Sequence, residues 1–508
     1  MSLSFFDYVV FVALVLFLIY IVVRNLFFRT TKTDFLHVTG SLHWIMIGMS
    51  LIAADMSLEY IMISSSEGFT NGLAFGSYEW TASIILIVVA LFILPIFMRA
   101  GITTIPEYLE LRYDKWARLT LAVIEIVLYT TTGLTAILYS SGLIMEHLFH
   151  IDKIYLIWTI GIISALIIGS GGISAVMRTD FVFVTLLILG GIAFATFAII
   201  EVGGFNTFVK LSENHLSSVN PRTHKDLPWT QVFLGSLWIM HLSYWSFKQF
   251  IAQKYLVSTS LSEAQKGILF AASLKLIFPF LFIIPGIVGF ELFKNEVSTP
   301  EHVFPMLIQK IVPAGFKSLI MITFLGTIIA ASEAIFTATT TLFTHDIYRR
   351  FLRPLSDTKE LVLVSRISTV VIVVIACLIS PTFGQINNVF EFTQHVSGAI
   401  SPGLAVVFLF GFLSKKTPRY AGLAGLLLSI PLYYFSMYIL KIEDFMTLTA
   451  VNFFFLILVM TILTIFTPQE EEIIIPERNP VKFERNLVVV IWSICILTTV
   501  LSIYIIFL

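Results

Sequence analysis

Lys275 sits near the middle of a long apolar run, GILFAASLKLIFPFLFIIPGIVGF, with no basic residue on either side of it. Asp55, Glu79, Asp180 and Glu333 also lie inside or at the edge of apolar segments. A charge at bilayer depth is expensive unless it is paired or faces water, and such groups mark solute and ion pathways. The chemistry available is that of donors and acceptors held in a dry space. An ammonium and a carboxylate hydrogen-bond a polar solute or bind an ion, and no covalent step is implied.

The elements that position these groups are apolar helices. Of the 508 residues, 57% are hydrophobic and only 12% charged, against about 25% charged in a soluble domain. The chain therefore reads as an all-α polytopic protein of the lipid bilayer. Net charge is −1, which gives no reason to expect nucleic acid. Cys377 and Cys495 both fall in apolar segments and read as buried small hydrophobes. The first apolar stretch lacks a basic leader and a small-residue cleavage site, so it reads as a retained helix.

Segments of membrane length, about 20 residues each, fall near 5–28, 41–66, 74–99, 115–147, 152–172, 179–202, 228–250, 265–294, 316–347, 361–381, 385–414, 418–440, 444–466 and 486–508. That predicts about fourteen transmembrane helices. Basic residues concentrate in alternate loops, among them Arg112, Lys115 and Arg118; Lys248 and Lys254; Arg349, Arg350 and Arg353; and Lys415, Lys416 and Arg419. The positive-inside bias puts those loops in the cytoplasm and both termini outside, at the plasma membrane, with Lys275 as the one base left in the bilayer. The segments 41–66 and 228–250 contain polar clusters, AADMSLEY and HLSYWSFKQF, and are candidate broken helices. One is the second span and the other the seventh, which is the spacing of an inverted five-helix repeat with its site at the midplane. The expected organisation is an extra helix and first cytoplasmic loop at 1–40, a first repeat at 41–202, an extracellular loop at 203–227, a second repeat at 228–414, and three further helices at 415–508.

The stretch GMSLIAADMSLEYIMISSSEGFTNGLAFGSYEW resembles the first two core helices of the sodium:solute symporter family. So do TTIPEYLELRY (103–113), GGISAVMRTDF (171–181), SEAQKGILFAASLKLIFPF (262–280), TTTLFTHDIYRRF (339–351) and SGAISPGLAVVFLFG (397–411). These motifs run in order over most of 41–414, and within the family they are most similar to its bacterial sodium/galactose (sodium/glucose-type) branch. The resemblance implies the LeuT-type inverted-repeat fold and alternating access coupled to an ion gradient. By resemblance, Glu79, Lys275 and Gln394 contact solute hydroxyls. Tyr244 and Trp245 match the aromatic pair of the second broken helix, with Tyr244 as inner gate, and Tyr78 and Phe390 match outer-gate aromatics. A neutral polyol needs fixed acceptors, donors and an aromatic wall, and this set supplies them. The plainer reading of Glu79 and Lys275 is an ion pair holding two helices, which does not exclude solute contact.

Some positions depart from the sugar pattern. Asp55 and His241 each stand where the branch has asparagine, Tyr60 where it has glutamine, and Ala82 where it has serine. Asp55, Tyr60 and His241 remain expected substrate-binding positions, and Asp55 with His241 makes the pocket more ionisable. They could also simply bond each other. The ion site departs further. The resemblance assigns sodium to backbone carbonyls matching Ala53, Met56 and Thr327, and to two hydroxyls that here fall on Ala330 and Ala331. Ser332 and Glu333 follow about 100° and 200° around the helix. Ser332 is a possible substitute, and Asp180 could attract a cation.

The function expected is secondary transport of a sugar or related small polar solute with sodium as the co-transported ion and no other cofactor. Proton-coupled or uncoupled transport is the alternative, because the hydroxyl pair is missing. A solute-gated sensor or channel on the same fold is the weaker one. No nucleophile–base set, metal-ligand spacing or phosphate loop speaks for an enzyme.

Overall fold

A computed structural model describes residues 42–508 apart from 150, 225–226, 234, 297–302, 314, 387–388 and 480–485, together with scattered helical positions between 5 and 24. The expected first span at 5–28, its following loop and most of the 1–40 unit thus lie largely outside the described residues. Among the described residues every regular element is helical. Among the described residues, ten helices are long and apolar enough to cross a membrane, and two shorter apolar ones lie at Trp44–Asp55 and Lys153–Gly169. A bilayer core leaves backbone groups no solvent partner, so helices that satisfy their own amides are the expected solution.

The chain enters through α1 (Trp44–Asp55) and α2 (Leu58–Asn71), two halves of one broken helix. The break has a local cause. Met56 and Ser57 leave helical geometry (ψ 83° and 160°), and the Ser57 hydroxyl caps α2 by accepting from Tyr60 N–H at 3.2 Å. The Ser57 amide turns back to the Asp55 carbonyl. The two amides that would bond the Ala53 and Met56 carbonyls in an unbroken helix are therefore used elsewhere. Gly72 (φ 64°) then reverses the chain, and a Cβ there would stand 2.4 Å from the His215 carbonyl oxygen, so only glycine fits. Next comes α3 (Ser77–Val88).

Asp114 caps α4 (Lys115–Leu128), which continues through a π-helical turn into α5 (Leu134–Phe149). The long α6 (Lys153–Glu201) breaks at Gly172, with φ 59° and ψ −148°. The sequence reading put a connection at 173–178; the chain breaks at one residue instead and is helical again at once. The second broken helix comprises α7 (Leu237–Phe247) and α8 (Gln249–Leu256), parted at Lys248 (ψ 125°). α9 (Leu261–Phe293), α10 (Lys317–Thr341), α11 (Thr358–Ile379), α12 (Val389–Leu413), α13 (Tyr420–Tyr438), α14 (Phe445–Phe466) and α15 (Leu487–Ile506) follow.

α1 and α2 are packed between α9, α6 and α10, while α7 sits against α12 and α3. The outward faces are apolar. Leu363, Ile367, Val370, Val371 and Leu378 form an exposed ridge on α11 suited to lipid tails. Cys377 is buried as expected, but Cys495 is exposed on α15, because this last helix presents most of its surface outward.

Two placements correct the sequence reading. Lys248 and Lys254 do not sit in a loop. α8 extends the broken helix beyond 250, so Lys248 lies in the break and Lys254 is fully buried. Lys275 is therefore not the only basic residue of the core.

Candidate substrate and ion site

Two breaks facing each other leave room that continuous helices would fill. A cavity of about 230 Å³ opens there, lined by Asp55, Tyr60, Tyr78, Glu79, His241, Tyr244, Trp245, Lys275, Phe390 and Gln394. All ten solute and gate positions expected from the sequence thus meet in one space. Ser57, Glu59, Lys248, Thr393, Ser397 and Ser401 also line it and escaped the sequence reading. Ser57 and Glu59 lie in the cluster that marked the first break, so the signal was present but went unused. Lys248 was masked by its resemblance to a loop base.

The polar side chains form one chain of bonds. Lys275 Nζ, buried in α9, donates to Glu79 Oε2 and Asp55 Oδ2, both at 2.6 Å. The Tyr60 hydroxyl donates to Glu79 Oε1 at 2.6 Å. The ammonium also lies 4.8 Å from the centre of the Trp245 ring, a cation–π distance. One ammonium therefore serves two carboxylates and joins α9 to α1 and α3. The alternative Asp55–His241 bond is not among the hydrogen bonds of the described residues. Asp55 faces Lys275 instead, and His241 Nε2 is buried with no hydrogen-bond partner among the described residues. Both carboxylates keep free lone pairs after these bonds, which is the acceptor set a hydroxylated solute needs.

A second lobe of about 210 Å³ shares Asp55, Ser57, Glu59, Tyr244, Lys248, Thr393 and Ser397 with the first and reaches Ala54, Ala331 and Ile335. Of the expected ion positions, Ala331 lines it. Thr327, Ala330, Ala331 and Ser332 are buried on α10, which packs against α1. Ala330 and Ala331 bring no side-chain oxygen. Thr327 Oγ1 is turned back to the Phe324 carbonyl at 2.9 Å, and Ser332 Oγ is buried with no partner among the described residues. Asp180, on α6, bonds Ser50 of α1 and Lys254 of α8, the latter at 2.8 Å.

Away from the cavity, a charged clamp ties the connection before α4 to the end of α10. Arg118 donates to Asp346 at 2.6 Å and to Glu110 at 2.8 Å, Thr104 donates to Asp346 at 2.7 Å, and Arg350 reaches Glu110. Asp346 thus serves the fold here, and the His345 carbonyl accepts from Arg118.

The sequence profile of the sodium:solute symporter family matches residues 35–429. The sodium/glucose cotransporter of Vibrio parahaemolyticus is 36% identical over 430 residues, 79% of either chain. The human sodium/myo-inositol cotransporter is 28% identical over 79% of this chain and 62% of its own length. Among solved structures, a substrate-bound, outward-open Na⁺-coupled sialic acid symporter superposes with a TM-score of 0.81 at 20% identity, covering 92% of this chain and 99% of that one. At that identity the likeness speaks for the fold. A profile spanning both broken helices, and a relative this similar over most of both chains, agree with a buried, charge-lined cavity at the breaks: the chain is a membrane transporter, not an enzyme, and belongs to the sodium:solute symporter family.

Proposed function

We propose that this protein carries a sugar or a related small polyol across the plasma membrane by sodium symport and alternating access. The observation that carries the reading is the Tyr60–Glu79–Lys275–Asp55 network in a cavity walled by Tyr78, Tyr244, Trp245 and Phe390. It offers a polyol acceptors, a shared ammonium and ring faces at once, with Gln394 adding an amide and His241 a ring. The glucose and myo-inositol relatives support that solute class. Tyr244 acts as inner gate, and Tyr78 and Phe390 as outer gate. The architecture proposed is the LeuT-type inverted repeat, 41–202 and 228–414, with about fourteen transmembrane helices. The loop at 203–227 and both termini lie outside, with 1–40 and 415–508 as additions to the core. The two facing breaks support the repeat. The carbonyls of Ala53, Met56 and Thr327 lie on the sodium path.

Uptake of labelled hexoses and polyols into proteoliposomes tests this, with a sodium gradient or a proton gradient imposed singly. An inward sodium gradient is expected to drive accumulation, and Glu79→Ala and Gln394→Ala to abolish it. Accumulation of none of these solutes under either gradient would reject the reading. Ala330 and Ala331 favour a second one, proton-coupled or uncoupled transport, in which the sodium gradient has no effect.

Two expectations arise here. Tyr244→Phe removes one hydroxyl beside Asp55, so the protein folds and expresses normally while its uptake rate changes. Unchanged rate and affinity would remove that hydroxyl from the gate. Ala330→Ser with Ala331→Ser adds two oxygens for a hard cation, and oxygen number tracks affinity for such ions. The double variant should reach half-maximal stimulation at lower sodium than the parent, which a sodium titration of uptake measures.

A further inference from the structure

Four half-helix ends meet at the two breaks, and three of them are answered by groups of suitable sign. A helix end carries about half a unit charge, positive at the N-terminus and negative at the C-terminus. The N-terminus of α2 holds the Ser57 oxygen and has Glu59 in its first turn. At the N-terminus of α8 the Gln249 amide donates to the Tyr129 hydroxyl at 3.1 Å and to Glu125 Oε1 at 3.4 Å. The C-terminus of α7 runs into Lys248, a base at a negative end. The C-terminus of α1 is the exception. Its last residue is Asp55, so a carboxylate stands where the helix itself is already negative, and no basic residue lies in its last turn.

The side chains do not correct this. Lys275 is divided between Asp55 and Glu79, so two carboxylates share one ammonium. Lys248, the other ammonium lining the cavity, faces Glu125. Of the trio, Asp55 is the member most open to the cavity, its side chain 14% exposed against 7% for Glu79 and 2% for Lys275. Lys275 holds its Oδ2, and the Tyr244 hydroxyl lies beside the same carboxylate. A carboxylate has lone pairs left after two such contacts. The rings of Tyr78, Tyr244 and Trp245 line the same space, and ring faces attract cations. A buried excess of negative charge is costly until a cation completes it.

We propose that the solute is an amino sugar or amino polyol, with its protonated amine on Asp55 and its hydroxyls on Glu79, Lys275 and Gln394. The inference rests on the reading of the cavity as a sugar and polyol site, and narrows it to solutes carrying one positive charge. Asp55 is then the residue that sets specificity. A neutral sugar meets the same acceptors but leaves the charge excess in place, and a sugar acid adds to it. A protonated primary amine brings three donors and the missing charge to the one helix end that lacks a counter-charge. The hydroxylated body of the solute keeps the bonds and ring contacts that suit any polyol.

Titration calorimetry on the purified full-length protein, with sodium present, tests this on two matched pairs: glucosamine against glucose, and glucamine against sorbitol. The titrations are run below neutral pH, where the amines are charged. Within each pair the amine should bind the parent more tightly by roughly tenfold or more, because hydrogen bonds from ammonium to carboxylate are charge-assisted. Asp55→Asn, which keeps the shape and removes the charge, should bring the two members of a pair to within about threefold of each other. Should that variant not fold, Asp55→Glu is read instead, its longer arm shrinking the preference. A parent that binds the neutral member as tightly as the amine overturns the proposal, and that result needs no variant. So does a preference for amines that survives the substitution, since the amine then sits elsewhere. So does a folded variant that loses both members of a pair alike, since Asp55 then serves sodium or the fold and not the amine. A parent that binds neither amines nor neutral sugars and polyols rejects the sugar reading itself, and the narrower proposal falls with it.

Discussion

Lys275→Ala abolishes solute binding and lowers thermal stability in the same variant. The lysine bonds Asp55 and Glu79 at 2.6 Å each, with its side chain 2% exposed. Removing it leaves two carboxylates facing each other in a dry space. Breaking a buried pair by deleting one partner costs about 3–5 kcal/mol, because the other charge stays uncompensated. Here two are left, and α9 loses its ionic tie to α1 and α3. The solute site loses a donor worth about 1.5–3 kcal/mol as a charged hydrogen bond. A melting curve with and without added sugar reads both effects. A variant that melts like the parent and keeps a sugar-induced shift would show that the ammonium serves neither the fold nor the solute. Lys275→Arg, with a longer planar head, should restore part of the stability and little of the binding, since the guanidinium cannot take the same point between the two acids.

The second large effect lies where α2 and α9 cross. A Cβ on Gly286 would stand 2.0 Å from the Ser65 carbonyl oxygen, and one on Gly68 would stand 2.4 Å from the Ile283 carbonyl oxygen. Ser65 Oγ donates across the same crossing to the Phe282 carbonyl at 2.8 Å. Helices in lipid associate by close backbone packing, without a hydrophobic force between them. The obstacle to a methyl group is backbone, which cannot swing aside. Gly286→Ala should therefore separate the helices at a cost on the order of 3 kcal/mol, the upper part of the range for overpacked cores. Loss of the monodisperse peak in size-exclusion chromatography, or a clear drop in melting temperature, is the expected result. Gly169→Ala is the control, since nothing lies within 4 Å of the added carbon. Equal behaviour of the two variants would refute the close approach.

Much of the architecture is readable before any coordinates. Mean hydropathy and charge scarcity place the chain in a bilayer, and the bilayer dictates helices. The cluster AADMSLEY announces the break at Met56–Ser57, because a serine able to cap a new helix closely follows an aspartate in an apolar segment. Asp55, Glu79, Tyr244, Lys275 and Gln394, from five helices, are legible as one group through the family motifs, and they stand around one cavity.

Other features belong to the tertiary structure alone. Hydropathy reports what surrounds a segment, and periodicity reports which face is apolar. Neither gives the rotation and depth of one helix against the next, and these decide which buried charges meet. Asp55 could have met His241 or Lys275; the seating of α1 against α9 brings it to Lys275. Lys254 follows a polar residue and precedes a tyrosine, like many loop bases, and only the continuation of the broken helix into α8 carries it to Asp180. Glu333 could have faced lipid, lobe or neighbour; the packing of α10 on α6 sets it beside Asp180 and Thr179. The sequence by itself determined the solvent, the helices and the residues able to bind. Close packing at positions such as Gly286 determined their partners, because a turn of a helix in either direction would have paired the same charges differently.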